Sequence, residues 1–111
     1  QKAALACYSP EGKKQIKETI SYYLNNAKII LSGLKKIGLE TSETKATFYV
    51  WIKILKKTDS IKFSKLLLEK SNIVVTPGVG FGKHGEGYIR MALTVSKEII
   101  QEALTRLKKN L

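Results

Sequence analysis

Residues Thr76 to Thr94 read TPGVGFGKHGEGYIRMALT and hold five of the chain's eight glycines. Within them, Gly80-Phe81-Gly82-Lys83-His84-Gly85 has the spacing G-x-G-x-x-G. In a dinucleotide-binding unit that spacing delivers a pyrophosphate to the free amides at the start of the helix that follows. Here the following residues, Tyr88 to Val95, read YIRMALTV, and their alternation is that of a strand. Without a helix start to receive an anion, the match is coincidental. A Walker-type loop fails too, because Lys83 is followed by His84 rather than Ser or Thr. The glycines predict instead a flexible, backbone-rich loop whose main chain can approach something closely.

The strand after the loop carries the residue best suited to chemistry. Ile89, Met91, Leu93 and Val95 alternate with Tyr88, Arg90, Ala92 and Thr94, so Arg90 lies opposite the apolar face, beside small Ala92. Arg90 is one of two arginines in a chain whose other eighteen basic residues are lysine. Its guanidinium is either a solvated surface charge or a planar fork aimed at a carboxylate or phosphate. The single cysteine, Cys7, has no internal disulfide partner and reads as a small buried apolar residue. With one histidine, His84, and one cysteine there is no zinc constellation and no Cys/His pair at plausible spacing.

The totals bound what these residues can belong to. A chain of 111 residues has room for one domain with a modest core. No apolar run approaches the roughly 20 residues that span a bilayer. The opening QKAALACYSP lacks the layout of a signal peptide, so a soluble, cytoplasmic protein is expected. The start without Met, directly on a helical segment, suggests a piece of something longer. The net charge of +11 invites a free-standing basic module for nucleic acid or another polyanion. Against that, the basic pairs Lys13-Lys14, Lys35-Lys36, Lys56-Lys57 and Lys108-Lys109 are scattered over different elements, as expected of solvated faces.

The elements that must position Arg90 can be read from period and punctuation. Ser9-Pro10-Glu11 is a helix start, and Ile16, Ile20, Tyr23, Ala27, Ile30, Leu34 and Ile37 form one stripe up to the exit at Gly38. So long a helix on so short a chain predicts packing along a neighbouring body. Ala46 to Ile54 is a strand with Phe48, Val50, Ile52 and Ile54 on one face and Thr47, Tyr49, Trp51 and Lys53 on the other. Ser60 is expected to cap a helix reaching about Lys70, with Phe63, Leu66, Leu67 and Leu68 on its apolar side. Asn72 turns the chain into a short strand, Ile73 to Thr76, which Pro77 ends. After the loop and the Tyr88 to Val95 strand, Ser96 opens a last helix that buries Ile99, Ile100, Ala103, Leu104 and Leu107. The order predicts an α/β, two-layer small domain: a long N-terminal helix, a small mixed or antiparallel sheet of about three strands, and packing helices.

Three segments, KATFYVWIKI from Lys45, LLLEKSNIVVTPGVGFGKHGEGYIRMALT from Leu66 and EALTRLKK near the end, resemble the C-terminal small domain of fold-type I, class I/II aminotransferases that use pyridoxal phosphate. The likeness is greatest to the LL-diaminopimelate and aspartate aminotransferase branches. It covers essentially the whole chain, with residues 1–38 as inter-domain segment and long helix and 45–111 as the α/β subdomain. By this resemblance Arg90 matches the arginine that binds the substrate α-carboxylate through two parallel hydrogen bonds. Gly80, Phe81 and Gly82 match the loop bordering the substrate entrance, and Tyr49 and Trp51 match aromatic strand residues near it. His84 has no matching role.

The resemblance places the Schiff-base lysine, the acidic partner of the pyridine nitrogen and the phosphate-binding residues on a large domain absent from this chain. None of the eighteen lysines stands in a context like that of the cofactor lysine. The expected partners are an amino-acid or 2-oxo-acid substrate, the missing large domain and, in the whole enzyme, a second subunit of a homodimer. Neither membrane nor nucleic acid is an expected partner. The chain alone is expected to bind no cofactor and to be inert. Departures from the family pattern are mild: Leu55-Lys56-Lys57 and Ser96-Lys97 stand where relatives often carry proline. A domain that keeps the fold for interaction or regulation, without the activity, is the further alternative to the basic module.

Overall fold

Ser9 stops one helix and starts the next. In the computed structural model, which describes residues 1–55 and 58–111, its hydroxyl donates to the Ala6 carbonyl (2.7 Å) and accepts from the Gly12 amide (3.0 Å). A short α1 (Lys2–Ala6) therefore gives way to the 27-residue α2 (Pro10–Lys36). Pro10 and Glu11 suit the first turn, and Lys35 and Lys36 the last. The C-terminal part of α2 buries Asn26, Ala27, Ile30 and Leu34. Its first half does not continue that stripe, for Ile16 and Ile20 are exposed. The predicted periodicity is present, but only its second half meets this chain's own core. Cys7 is exposed as well, correcting the expectation of a buried thiol, because α1 buries none of its residues.

Three strands form one antiparallel sheet in the order β1 (Tyr49–Lys53), β3 (Tyr88–Ala92), β2 (Thr76–Pro77). Val50 and Ile52 of β1 and Ile89 and Met91 of β3 turn one face into the core, as alternation predicts. That face packs against α2, α3 (Ser60–Ser71) and α4 (Lys97–Asn110) through Phe63, Leu67, Ile100 and Leu107. The result is the expected two-layer α/β unit. Burying one such aliphatic side chain is worth about 2 kcal/mol, so this single layer of contacts holds the fold. Asn26 adds a polar tie that periodicity does not show: its Nδ2 donates to the carbonyls of Leu93 (2.9 Å) and Val95 (3.0 Å) just past β3.

The strands are shorter than predicted, and their ends differ for local reasons. Phe48 lies outside β1 and is exposed, although its carbonyl still accepts from the Leu93 amide (2.8 Å). Ile73 is buried before the second strand begins, and β2 does end at Pro77, which is its last residue rather than the first beyond it. An edge strand tolerates a residue without an N–H. Asp59, not Ser60, caps α3, its carboxylate accepting from the Lys62 amide (2.8 Å). Asn72 makes the predicted left-handed turn at φ 52°, and Ser96 caps α4. Leu68 and Ile99, placed on buried stripes from the sequence, are exposed. The Lys56-Lys57 pair and the Leu55-Lys56-Lys57 departure involve positions outside the described residues.

Candidate functional site

The sheet's second face carries Tyr49, Trp51, Lys53, Tyr88, Arg90 and Ala92. Arg90 sits at the centre of that face because β3 is the middle strand, with Trp51 opposite on β1 and Thr76 opposite on β2. Its guanidinium carbon lies 3.9 Å from the centroid of the Tyr49 ring and 4.0 Å from that of Phe81. The Trp51 ring meets Phe81 edge-on at 5.3 Å, so a third aromatic steadies the stack. Each ring–guanidinium contact at a partly exposed site is worth about 0.5–1 kcal/mol. Stacking occupies the faces of the guanidinium and leaves its in-plane N–H fork available. Among the described residues no carboxylate forms an ion pair with Arg90. The arrangement is that of an orientated cation with donors in one plane, which suits a carboxylate through two parallel bonds.

Phe81 reaches Arg90 from the glycine-rich loop, and the loop is ordered by its own backbone. It winds into two 3₁₀ turns, Gly78–Phe81 and Lys83–Gly85, joined at Gly82 with φ 103°. The Gly82 amide donates to the Val79 carbonyl (3.0 Å) and the Gly85 amide to the Gly82 carbonyl (2.9 Å). These amides serve the turns, and the next element is β3, so a phosphate cradle is absent here. The close approach expected from the glycines is the loop's approach to itself. A Cβ on Gly78 would lie 1.9 Å from the Gly85 carbonyl oxygen, and one on Gly85 would lie 2.0 Å from that of Gly78. Gly80, by contrast, has open space where a side chain would stand.

Of the residues singled out from the sequence, Arg90, Tyr49, Trp51 and Phe81 come together, with Gly80 and Gly82 on either side of Phe81. His84 is exposed on the second turn and joins no cluster. No group of three His, Cys, Asp or Glu side chains able to hold a metal occurs among the described residues. What the sequence reading missed is Glu86. Its Oε1 accepts from the Ser60 amide (2.7 Å) and the Gly87 amide (3.0 Å), and its Oε2 from the Ser60 hydroxyl (3.0 Å). The Ser60 amide and then the Gly87 amide hold the carboxyl below the usual carboxylate range. A carboxylate set among glycines just before a strand was the available signal, but its partner lies 26 residues away.

The chain matches the family of class I and II aminotransferases over residues 1–107, and it belongs to that family. Among its relatives are LL-diaminopimelate aminotransferases of Bacteroides fragilis and Lawsonia intracellularis, each 46% identical over 111 residues. All of this chain is matched in both, but it spans only 27% of their length. An aromatic aminotransferase from Pyrococcus horikoshii has the same fold, with a TM-score of 0.91 and 33% identity over 96% of this chain and 29% of that one. An L,L-diaminopimelate aminotransferase from Chlamydomonas reinhardtii gives a TM-score of 0.88 and 35% identity, over 95% of this chain and 26% of that one.

Membership of this family implies pyridoxal phosphate in the full-length enzyme. A Schiff-base lysine is one whose proton is easily lost in a desolvated site, whereas every described lysine is exposed. Lys53 is pushed the other way, above its ordinary value, by its hydrogen bond to Glu40 and that carboxylate's charge. No helix among the described residues is long and apolar enough to cross a membrane.

Proposed function

We propose that this chain is the C-terminal small domain of a pyridoxal-phosphate-dependent aminotransferase and that Arg90 receives the substrate's α-carboxylate. The supporting observation is the Arg90 guanidinium, held between Tyr49 and Phe81 with its N–H fork free of any described carboxylate. Residues 1–38 form the inter-domain segment and long helix, and residues 45–111 the α/β subdomain. Gly80, Phe81 and Gly82 border the substrate entrance, and Tyr49 and Trp51 line it. The cofactor and the proton-moving groups belong to a large domain, and the exposed Ile16, Ile20 and Leu24 of α2 provide apolar surface for it. The whole enzyme is a homodimer, and this chain alone is catalytically inert. The names of the relatives support an LL-diaminopimelate-type amino acid as substrate.

Kinetics of Arg90→Lys in a full-length enzyme carrying this chain test the assignment. A lysine supplies a point charge without the planar fork, so KM for the amino donor rises and kcat/KM falls; unchanged values remove Arg90 from the site. Cofactor absorbance and turnover of the 111-residue chain test the division of labour. Stoichiometric Schiff-base formation with specific transamination would sink it.

A further inference from the structure

The loop that carries Phe81 has only its two short 3₁₀ turns between β2 and β3 to hold it over the sheet. Apart from the Ile54 amide, which donates to the Gly87 carbonyl (2.8 Å) at its end, it is tied down at the N-terminus of α3. Ser60, fully buried, is the centre of that tie. Its amide and hydroxyl both donate to the Glu86 carboxylate, and its hydroxyl oxygen accepts from the Val79 amide at 3.3 Å. One serine thus joins the first turn of the loop, at Val79, to its end, at Glu86. The Gly78–Gly85 contact closes the base between them. Glu86 also serves α3, because the Ser60 N–H lies in the first turn, where no intrahelical acceptor exists, and a carboxylate there is favoured by the helix dipole.

We propose that Glu86 is a positioning residue: through Ser60 it latches the 78–87 loop onto the start of α3, so that Phe81 stays on the face of the Arg90 guanidinium and aims its fork. Glu86 need not touch the substrate. Its effect passes from carboxylate to serine, from serine and the glycine contact to the turn, and from Phe81 to Arg90. The functional meaning of the latch rests on Arg90 as the carboxylate receptor. The latch itself is a statement about geometry and is measured without substrate, so its failure and the failure of that assignment appear in different experiments.

The chain's composition supplies the reporters. It has two arginines, hence two side-chain Nε–H signals in a proton–nitrogen NMR spectrum, and Arg106→Lys identifies the Arg90 signal. Protons held over aromatic faces are displaced upfield, so the Arg90 side chain reports Phe81 together with Tyr49, and Tyr49 is fixed in β1. In the 111-residue chain, Glu86→Ala should lose much of that displacement, while the Asn26 side-chain amide signals, fixed by Leu93 and Val95, stay in place. Ser60→Ala, which removes the hydroxyl shared by Glu86 and Val79 but leaves the Ser60 amide on Glu86, should lose a smaller part of the displacement and carries the test if Glu86→Ala does not fold. Glu86→Gln keeps an oxygen for the two backbone amides and should restore most of the displacement. An Arg90 signal that stays at its wild-type position in the alanine variants overturns the latch. So does a shift matched by equal movement of the Asn26 signals, which would mean general loosening.

Discussion

The two arginines of this chain occupy regions built on opposite principles. Arg106, on the penultimate turn of α4, is satisfied within its own surroundings: it pairs with Glu102 one turn back and reaches the Asn72 carbonyl. Arg90, on the middle strand of the sheet, is held by ring faces and by no described carboxylate. Both are partly covered, and both carry the same charge. An ion pair engages donors of a guanidinium, whereas stacking covers its faces and leaves the donors unspent. The Arg106 guanidinium is therefore engaged by Glu102 and the Asn72 carbonyl, whereas that of Arg90 keeps its donors unspent among the described residues.

Several substitutions would break or sharpen this contrast. The largest effect is expected from Arg90→Ala in a full-length enzyme. Losing the charged partner of a bound carboxylate costs about 3 kcal/mol, about 100-fold in kcat/KM for the amino donor. Steady-state kinetics with a saturating keto acid would measure it. Gly78→Ala comes next. Its Cβ would collide with the Gly85 and Tyr88 carbonyls, at 1.9 and 2.5 Å, so the base of the loop must open. A cost of about 2 kcal/mol is expected from such overpacking, read from urea unfolding of the chain, and Arg90 would become as solvated as an ordinary surface arginine.

Acid should act in the same direction more gently. The Lys62 backbone amide, then its side chain, holds Asp59 below its usual range, and the Ser60 and Gly87 amides do the same for Glu86. Asp59 faces Glu86 and opposes its shift, while Lys62 pairs with Asp59 at 3.0 Å; Lys83 and His84 lie on the preceding turn. Because both folded values are depressed, their stabilisation is complete above the unfolded values near pH 4 and is lost as pH falls through the lower folded ones. Emission from Trp51, the one tryptophan, should stay level from neutral pH to about pH 4 and change below it. A transition above pH 5 would contradict the depressed values. The smallest effect belongs to Arg106→Ala. A surface pair of this kind contributes under about 1 kcal/mol, with no change in kcat/KM, and a large kinetic defect would erase the distinction between the two arginines.

Much of the fold could be read from residue order, because it depends on near neighbours in the chain. Ser9-Pro10-Glu11 started α2, Asn72 made the left-handed turn, Ser96 capped α4, and alternation put Val50, Ile52, Ile89 and Met91 on one face. The failures have a common cause. Ile16, Ile20, Leu68, Ile99 and Cys7 are exposed because apolar character shows what a residue can bury, and only packing shows whether a surface is there to receive it. For Ile16 and Ile20, the long reach of α2 had already implied a neighbouring body.

The sequence by itself determined that the 76–87 segment is no phosphate cradle, since a strand follows it, and that Arg90 projects from the face opposite the core. Both follow from the period-two geometry of a strand. Tertiary structure alone decided that β3 lies between the other two strands, that Phe81 folds back to cover Arg90, and that Glu86 meets Ser60. Those contacts join positions separated by 9 (Phe81–Arg90) to 43 residues (Tyr49–Ala92), including Glu86–Ser60 at 26. Their partners are chosen by chain topology and by hydrogen bonds that close only once the helices and strands are in place, and no local propensity encodes them.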